Sequence, residues 1–455
     1  MTLEVDQIAT FRSEFGGLVV EPHEDGYDLQ RAVHNGMIDR RPALIACCRG
    51  TSDIVAAVQL ARASGLEIAA RGGGHNVAGR GVCDDGLLID LSQMKGIFVD
   101  PQRRTARVQG GVTWAEFNRE TQLHGLAVTG GVISSTGVAG LTLGGGFGWL
   151  MGLHGMTVDS LIGAEVVTAS GEVLHASESE HPDLFWALRG GGGNFGIVSS
   201  FEFQLHPVGP EVMGGLVAHP FTEARDVLRF YRETTTDVAD ELTLFAGLVH
   251  APDGSGARLA ALVGCYLGSM GEADEAVRPI KEFGSPAVDA FERTTYSAMN
   301  SVLDGAFPRG ALNYWKSGFL GALTDEAFDA MVECFERCPS PMSSIMLEHF
   351  HGAVTRRPVS ETAYPHRREG YNLLIAGEWL DAADTDRNVA WVRETYETMQ
   401  PFMSADRYAN YSGEDEVGDA AAAAYGENYP RLQRVKAQYD PENVFHLNQN
   451  IAPAK

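Results

Sequence analysis

At 455 residues, with 44% hydrophobic and 21% charged side chains, the chain has apolar material enough for two domains or one large split domain. A net charge of −25, from 60 acidic against 35 basic residues, repels polyanions, and no basic cluster overrides it, which argues against nucleic-acid partners. No stretch approaches the roughly 20 apolar residues of a membrane span, and residues 1–17 lack the apolar run of a secretory signal, so the expected location is the cytoplasm.

In chain order, short β-branched stretches at Ala43–Ala46, Leu87–Leu91, Thr105–Val108, Ala164–Val167 and Ile197–Phe203 predict strands. A helix is predicted over Ser52–Ala63, with Thr51 or Ser52 as N-cap and Gly65 as the stop, and another over Trp114–His124, ended by Gly125. Glycine runs at Gly72–Gly74, Gly130–Gly131, Gly144–Gly146 and Gly190–Gly193 interrupt these elements, as in a domain that brings backbone close to a large ligand. After about Pro207 glycine thins. Helices are predicted at Glu223–Thr234, Glu272–Phe283, Asp325–Cys338 and Thr385–Gln400. Strands are predicted at Leu242–Val249, Leu259–Leu267, Asn313–Leu320, Ser344–His351 and Tyr371–Glu378. This second half reads as an antiparallel sheet with helices on one face, a wall for a substrate pocket. The tail, Tyr429–Ile451, holds a helix, a break at Asp440-Pro441 and a final turn.

Six cysteines form no disulfide framework, and neither Cys334/Cys338 nor Cys47/Cys48 is joined by partners at metal-ligand spacing, so no metal is expected. Gly191-Gly192-Gly193-Asn194-Phe195-Gly196 satisfies the dinucleotide pattern GxGxxG. That pattern works after a strand and before a helix. Here the order is reversed, a helical His181–Arg189 preceding and the strand following, which argues against a nicotinamide fold. Arg71-Gly72-Gly73-Gly74-His75-Asn76 is more informative, because consecutive glycine N–H groups can converge on an anion and leave His75 beside its owner. A turn histidine bonded to backbone is the plain alternative.

These segments, together with GLLIDL (Gly86–Leu91), GGVISSTGVAGLTLGGGFG (Gly130–Gly148), DLFWALRGGGGNFGIV (Asp183–Val198), YPHR (Tyr364–Arg367), YANY (Tyr408–Tyr411) and the tail, run in order along nearly the whole chain. In them the sequence resembles the berberine bridge enzyme-like branch of the vanillyl-alcohol oxidase flavoproteins. The resemblance implies an α+β fold with a two-part FAD-binding domain over 1–207, a helix-covered substrate sheet over 208–403, and a segment, 404–455, returning to the first domain. It implies FAD bonded to His75 alone, since Ile133 occupies the place where doubly linked members carry a cysteine.

The cofactor-binding positions it implies are Arg71, Gly72, Gly73, Gly74, Asn76 and Gly79, then Gly130, Gly131, Thr136, Gly137, Gly140 and Gly144. Gly196, Ile197, Val198, Tyr408, Asn410 and Asn448 complete the set. Tyr411 is the implied base for substrate oxidation, with a pKa lowered by its neighbours, and Glu348 and Asn372 are candidates to act beside it. By strand period Glu348 and Phe350 share one face and His349 and His351 the other, with Phe350, Leu374 and His349 as candidate pocket residues. The expected reaction moves a hydride from a small alcohol, amine or sugar carbon to the flavin and its electrons to O2. A dehydrogenase with another acceptor, for which Val138 and Ala139 near the oxygen path do not decide, and a non-catalytic flavin-binding protein are the alternatives.

Overall fold

The computed structural model describes residues 5–413, 415 and 420–455; the first four residues of the amino-terminal segment lie outside them. Among the described residues, three larger sheets and one two-stranded ladder, Leu126–Ala127 with His206–Pro207, organise the chain. The first has the order Leu18–Val20, Leu44–Cys47, Leu87–Asp90, Ile68–Arg71, its last three strands parallel. Leu44–Cys47 and Leu87–Asp90 are buried at every position, as parallel strands covered on both faces should be. The connecting helix, Thr51–Ser64, ends where expected, at Gly65 with φ 64°.

Its start differs from the expectation. The N-cap is Gly50, because Asp53 one turn in accepts the N–H groups of Arg49 (2.8 Å), Gly50 (3.2 Å) and Gly16 (2.9 Å). A buried carboxylate holding three otherwise orphaned donors should be costly to remove. Asp53→Ala is expected to lower stability by about 2–3 kcal/mol. Urea unfolding would show this as a lower midpoint with an unchanged slope, and an unshifted midpoint would deny the carboxylate that role.

The second sheet is antiparallel, in the order Ile97–Asp100, Thr105–Gln109, Ile197–Gln204, Leu161–Val167, Val173–Ser177. The GxGxxG turn lies between helix Pro182–Leu188 and strand Ile197–Gln204, so it is a helix-to-strand turn and not a dinucleotide fingerprint. The helix over Trp114–Thr121 continues as a 3-10 turn to His124 and stops at Gly125, φ 62°.

The third sheet runs Val288–Asp289, Glu211–Pro220, Arg258–Tyr266, Leu242–His250, Ser344–Phe350, Gly370–Trp379, Leu312–Leu320, all antiparallel, with Glu292–Thr295 also paired to Glu211–Pro220. Helices Ala224–Thr236, Ala273–Glu282, Asp325–Glu336 and Thr385–Met399 contribute to one core with Leu244, Ala246, Leu248 and Leu347. Phe245, Met346 and Phe350, pointing the other way, belong to a separate core with Phe147 and Tyr408. The ten-residue strand Glu211–Pro220 was not expected: Gly214-Gly215 interrupt its alternation, yet a Cβ at Gly215 would lie 2.0 Å from the Ala290 carbonyl oxygen, so the bare backbone lets the neighbouring segment pair.

The tail returns to the second sheet through helix Tyr429–Tyr439, whose Leu432 and Val435 share a core with Leu184 and Phe185. Its Lys436 is buried, with Nζ bonded to Asp440 Oδ2 (2.6 Å) and to the carbonyls of Asn194 (2.7 Å) and Phe445 (2.9 Å). Among the described residues no helix is long and apolar enough to cross a membrane, no group of three or more His, Cys, Asp or Glu could hold a metal ion, and all six cysteines are buried and free.

Candidate active site

A cavity of about 320 Å³ lies where the three sheets and the tail meet. Strand Ile68–Arg71 delivers Gly72, Gly73, Gly74, His75 and Asn76 to its edge. A Cβ on Gly73 would sit 2.4 Å from Gly137 N, and one on Gly137 the same distance from Gly73 N, so the two glycine segments touch backbone to backbone. Gly131, Thr136, Gly140 and Gly144 continue that edge, and Gly196, Ile197, Val198 and Asn448 close the far end.

Three of the glycine-segment candidates differ from expectation. Gly79 and Gly130 do not line the cavity. A Cβ on Gly79 would meet the Ile38 side chain at 2.7 Å, and one on Gly130 the Trp114 ring at 2.3 Å, so both positions are already covered by protein. Arg71 does line it, but its guanidinium is engaged by buried Asp90 (2.9 Å) and by the Ala32 carbonyl (3.3 Å), bracing the strand.

His75 stacks on His34 with ring centroids 3.9 Å apart, and its Nε2 meets Ser135 Oγ at 2.9 Å. Burial, with smaller contributions from His34 and Arg309, pushes its pKa down to about 3. The imidazole is therefore neutral at physiological pH, with a lone pair on one ring nitrogen. Ile133 borders the cavity and no cysteine does.

The opposite wall is the cavity-facing side of the third sheet: Phe245, Met346, Glu348, Leu374 and Trp315 from four neighbouring strands. Glu348 is fully buried. Its Oε1 accepts from Tyr411 Oη (3.1 Å) and its Oε2 from Asn372 Nδ2 (2.6 Å). Burial pushes its pKa up to about 7, against the pull of those two donors. Tyr411 is shifted the other way from the expectation: burial first, and then the negative charge of Glu348, hold the phenol well above its ordinary value. A tyrosine facing a carboxylate in a dry wall keeps its proton, and the carboxylate is the group that ionises.

Tyr408 is buried, its Oη accepting from Gly146 N (3.1 Å) and Asn410 Nδ2 (2.9 Å). Asn410 in turn reaches the Leu141 carbonyl (3.1 Å), and Gly144 must be bare there because a Cβ would fall 2.0 Å from Asn410 Oδ1. This braces Tyr411, whose ring lies 5.1 Å from that of Tyr408.

Phe350, His349 and Asn372 do not reach the cavity. Phe350 is on the right face but one rung deeper, packed edge-on against Phe147 (5.1 Å) and Phe319 (5.6 Å). His349 faces the helices, stacked on Tyr371 and His351 at 4.8 Å each, and burial pushes its pKa down to about 3. Asn372 instead donates to Glu348 from the neighbouring strand. Lining residues that the sequence reading did not single out include Phe147, Phe245, Leu303, Phe307, Trp315 and Met346. Period-two alternation could have found Phe245 and Met346; Leu303 and Phe307 sit on a segment with no such signal.

Residues 42–177 match the family described as FAD binding domain, and residues 407–452 the family described as berberine and berberine like. The (R)-6-hydroxynicotine oxidase of Paenarthrobacter nicotinovorans is 30% identical over 451 residues, 96% of this chain and 97% of that protein. The chain belongs to the berberine bridge enzyme-like FAD-linked oxidoreductases. The glucooligosaccharide oxidase of Sarocladium strictum is 32% identical, across 95% of this chain and 92% of its own length. The crystal structure of 6-hydroxy-D-nicotine oxidase from Arthrobacter nicotinovorans superposes with a TM-score of 0.88 at 28% identity, covering 97% of this chain and 99% of that one.

As a berberine bridge enzyme-like protein this chain is an enzyme that binds FAD, and the site fits the cofactor. The two glycine segments, packed together, present side-chain-free backbone along one edge of the cavity, against which a bulky planar group can lie. Asn448 Oδ1 at the far end is buried with no hydrogen-bond partner among the described residues, an acceptor for a donor the protein does not supply.

Proposed function

We propose that this enzyme holds FAD through one covalent bond, at His75, and oxidises a small substrate with Tyr411 and Glu348 as its proton-accepting pair and O2 as final electron acceptor. On this reading residues 1–207 and 404–455 form the cofactor domain and 208–403 the substrate domain. The bound flavin supplies the redox chemistry by accepting a hydride from the substrate carbon. The chain's own residues position and deprotonate. His75, neutral and partly buried, offers a nitrogen lone pair at the glycine edge, and Ile133 cannot supply a second link.

The observation that carries the reading is the 3.1 Å bond from Tyr411 Oη to Glu348 Oε1 in a wall otherwise apolar. A hydride leaves carbon readily only as the neighbouring O–H or N–H loses its proton. That proton passes to Tyr411 Oη while the tyrosine's own proton passes to Glu348. Tyr411 then never forms a free phenolate, which this environment disfavours. Asn372 holds the second carboxylate oxygen and fixes its orientation.

A pH dependence follows. The pair accepts a proton only when Glu348 is ionised, so flavin reduction should be slow in acid and rise with an inflection near the carboxyl's pKa of about 7. Asn372→Leu deletes a donor that lowers this pKa, and the inflection should move up by roughly one pH unit. Stopped-flow flavin reduction across the neutral range measures both. A flat profile in the parent enzyme would remove Glu348 as proton acceptor.

A further inference from the structure

Among the described residues the substrate wall carries one ionisable acid, Glu348, and no cation opposite it. Phe147, Phe245, Phe307, Trp315 and Tyr411 line the cavity with Glu348; Phe245 is its cross-strand partner, Tyr411 donates to it, Phe147 and Trp315 each meet the Tyr411 ring edge-on at 5.9 Å, and Phe307 meets Trp315 at 5.7 Å. Leu303, Met346 and Leu374 fill the spaces between them. The cationic side chains bordering the cavity, Arg71 and Arg80, both come from the glycine edge, and Arg71 is neutralised by Asp90. The wall's polar groups are already engaged: Trp315 Nε1 donates to Asn313 Oδ1 (3.1 Å), and Tyr411 Oη to Glu348.

From this arrangement we infer that the substrate is an apolar amine bound as its ammonium ion, with the charged nitrogen enclosed by the aromatic rings and opposite Glu348. The inference deepens the proposed oxidation and rests on it for turnover, though not for binding. Aromatic faces attract a desolvated cation, and an ammonium supplies the missing partner of a buried carboxylate. A sugar would bury a hydroxyl on nearly every carbon against Phe, Leu and Met, each left without a partner. A carboxylate-bearing substrate would meet Glu348 with like charge.

The chemistry closes. The ammonium N–H proton goes to Tyr411 as the tyrosine proton goes to Glu348, leaving a neutral amine. With FAD bound, the α hydrogen would leave with both electrons of its C–H bond as hydride to the flavin, the nitrogen lone pair would form the C=N bond, and water would hydrolyse the resulting iminium to a carbonyl compound, a smaller amine and a proton. The two electrons would pass on to O2, the acceptor of the proposed reaction, giving hydrogen peroxide.

The test uses the flavin-loaded enzyme and benzyltrimethylammonium, which has no N–H and is not expected to turn over, against neopentylbenzene, its uncharged isostere. Binding is read from the perturbation of the flavin's visible spectrum. The cation should bind at least about tenfold more tightly than the isostere, and Glu348→Gln should erase most of that preference. Under anaerobic conditions N-methylbenzylamine should bleach the flavin and cellobiose should not. Equal binding of the two isosteres, no perturbation by the cation at millimolar concentration, or faster bleaching by cellobiose would each overturn the inference. Should Glu348→Gln fail to fold, the isostere comparison in the parent enzyme still decides. Binding of a compound that is not turned over does not depend on the base: a cation preference that persists while Tyr411→Phe reduces flavin at the parent rate would defeat the proton-relay reading and leave this one standing.

Discussion

His75→Ala is expected to release all of its flavin on acid denaturation, whereas the parent protein should keep its yellow colour in the pellet. The intact polypeptide of the parent should carry the added mass of one FAD, and the variant none. The physical ground is that the neutral imidazole at the glycine edge has no covalent substitute: Ile133 is a hydrocarbon, and the six cysteines are buried away from the cavity. The variant should still bind FAD reversibly, since the glycine segments and Asn448 remain. It should also reduce more slowly, because an imidazole attached to the ring withdraws electrons and makes the flavin a stronger acceptor; the cofactor does the chemistry but the protein tunes it. A parent polypeptide without the added mass, or a His75→Ala protein that retains bound flavin in acid, would refute the single histidyl bond.

The second large effect concerns the proton. Tyr411→Phe removes the hydroxyl that bridges substrate and Glu348 but leaves the ring's contacts with Phe147 and Trp315 in place. Flavin reduction should fall by about 10²–10⁴-fold, the usual contribution of a positioned acid–base group. Substrate affinity should change little. Glu348→Gln keeps shape and the contact to Asn372 while abolishing the acceptor, and should match Tyr411→Phe in rate. If the two residues act as one relay, the double variant should be scarcely slower than either single one, because groups that work as a unit are not additive. Independent, multiplying losses would show that they do not share a proton.

Much of this fold was legible in the residues. Gly65 and Gly125 end their helices because a left-handed conformation is cheap only for glycine, and the alternation of Ser344–Phe350 set Glu348 and His349 on opposite faces, so that Glu348 reaches the cavity while His349, expected as a pocket residue, stacks on Tyr371 instead. What period-two patterning cannot give is depth. It set Phe350 on the same face as Glu348, yet two residues along the strand carried it under Phe147 and out of the cavity. The N-cap of Thr51–Ser64 was misplaced by a residue because Asp53 reaches back to three backbone donors, one of them Gly16, which is distant in sequence. The direction of the Tyr411 shift was hidden for a related reason: it comes from burial and from a carboxylate brought in by another strand. Segment Asp304–Ala306, flanked by the lining residues Leu303 and Phe307, has neither the length nor the pattern to announce itself.

The cavity gathers residues from His34 to Gln449, and the clasp of Lys436 on the Asn194 and Phe445 carbonyls ties its first half to its last. A nascent chain therefore lacks part of the site until its tail has emerged, however early its glycine segments appear. The species that meets FAD is one already synthesised through the tail, with the helix-covered sheet folded in between. A chain that ends ahead of Lys436 should therefore form its sheets yet fail to acquire FAD.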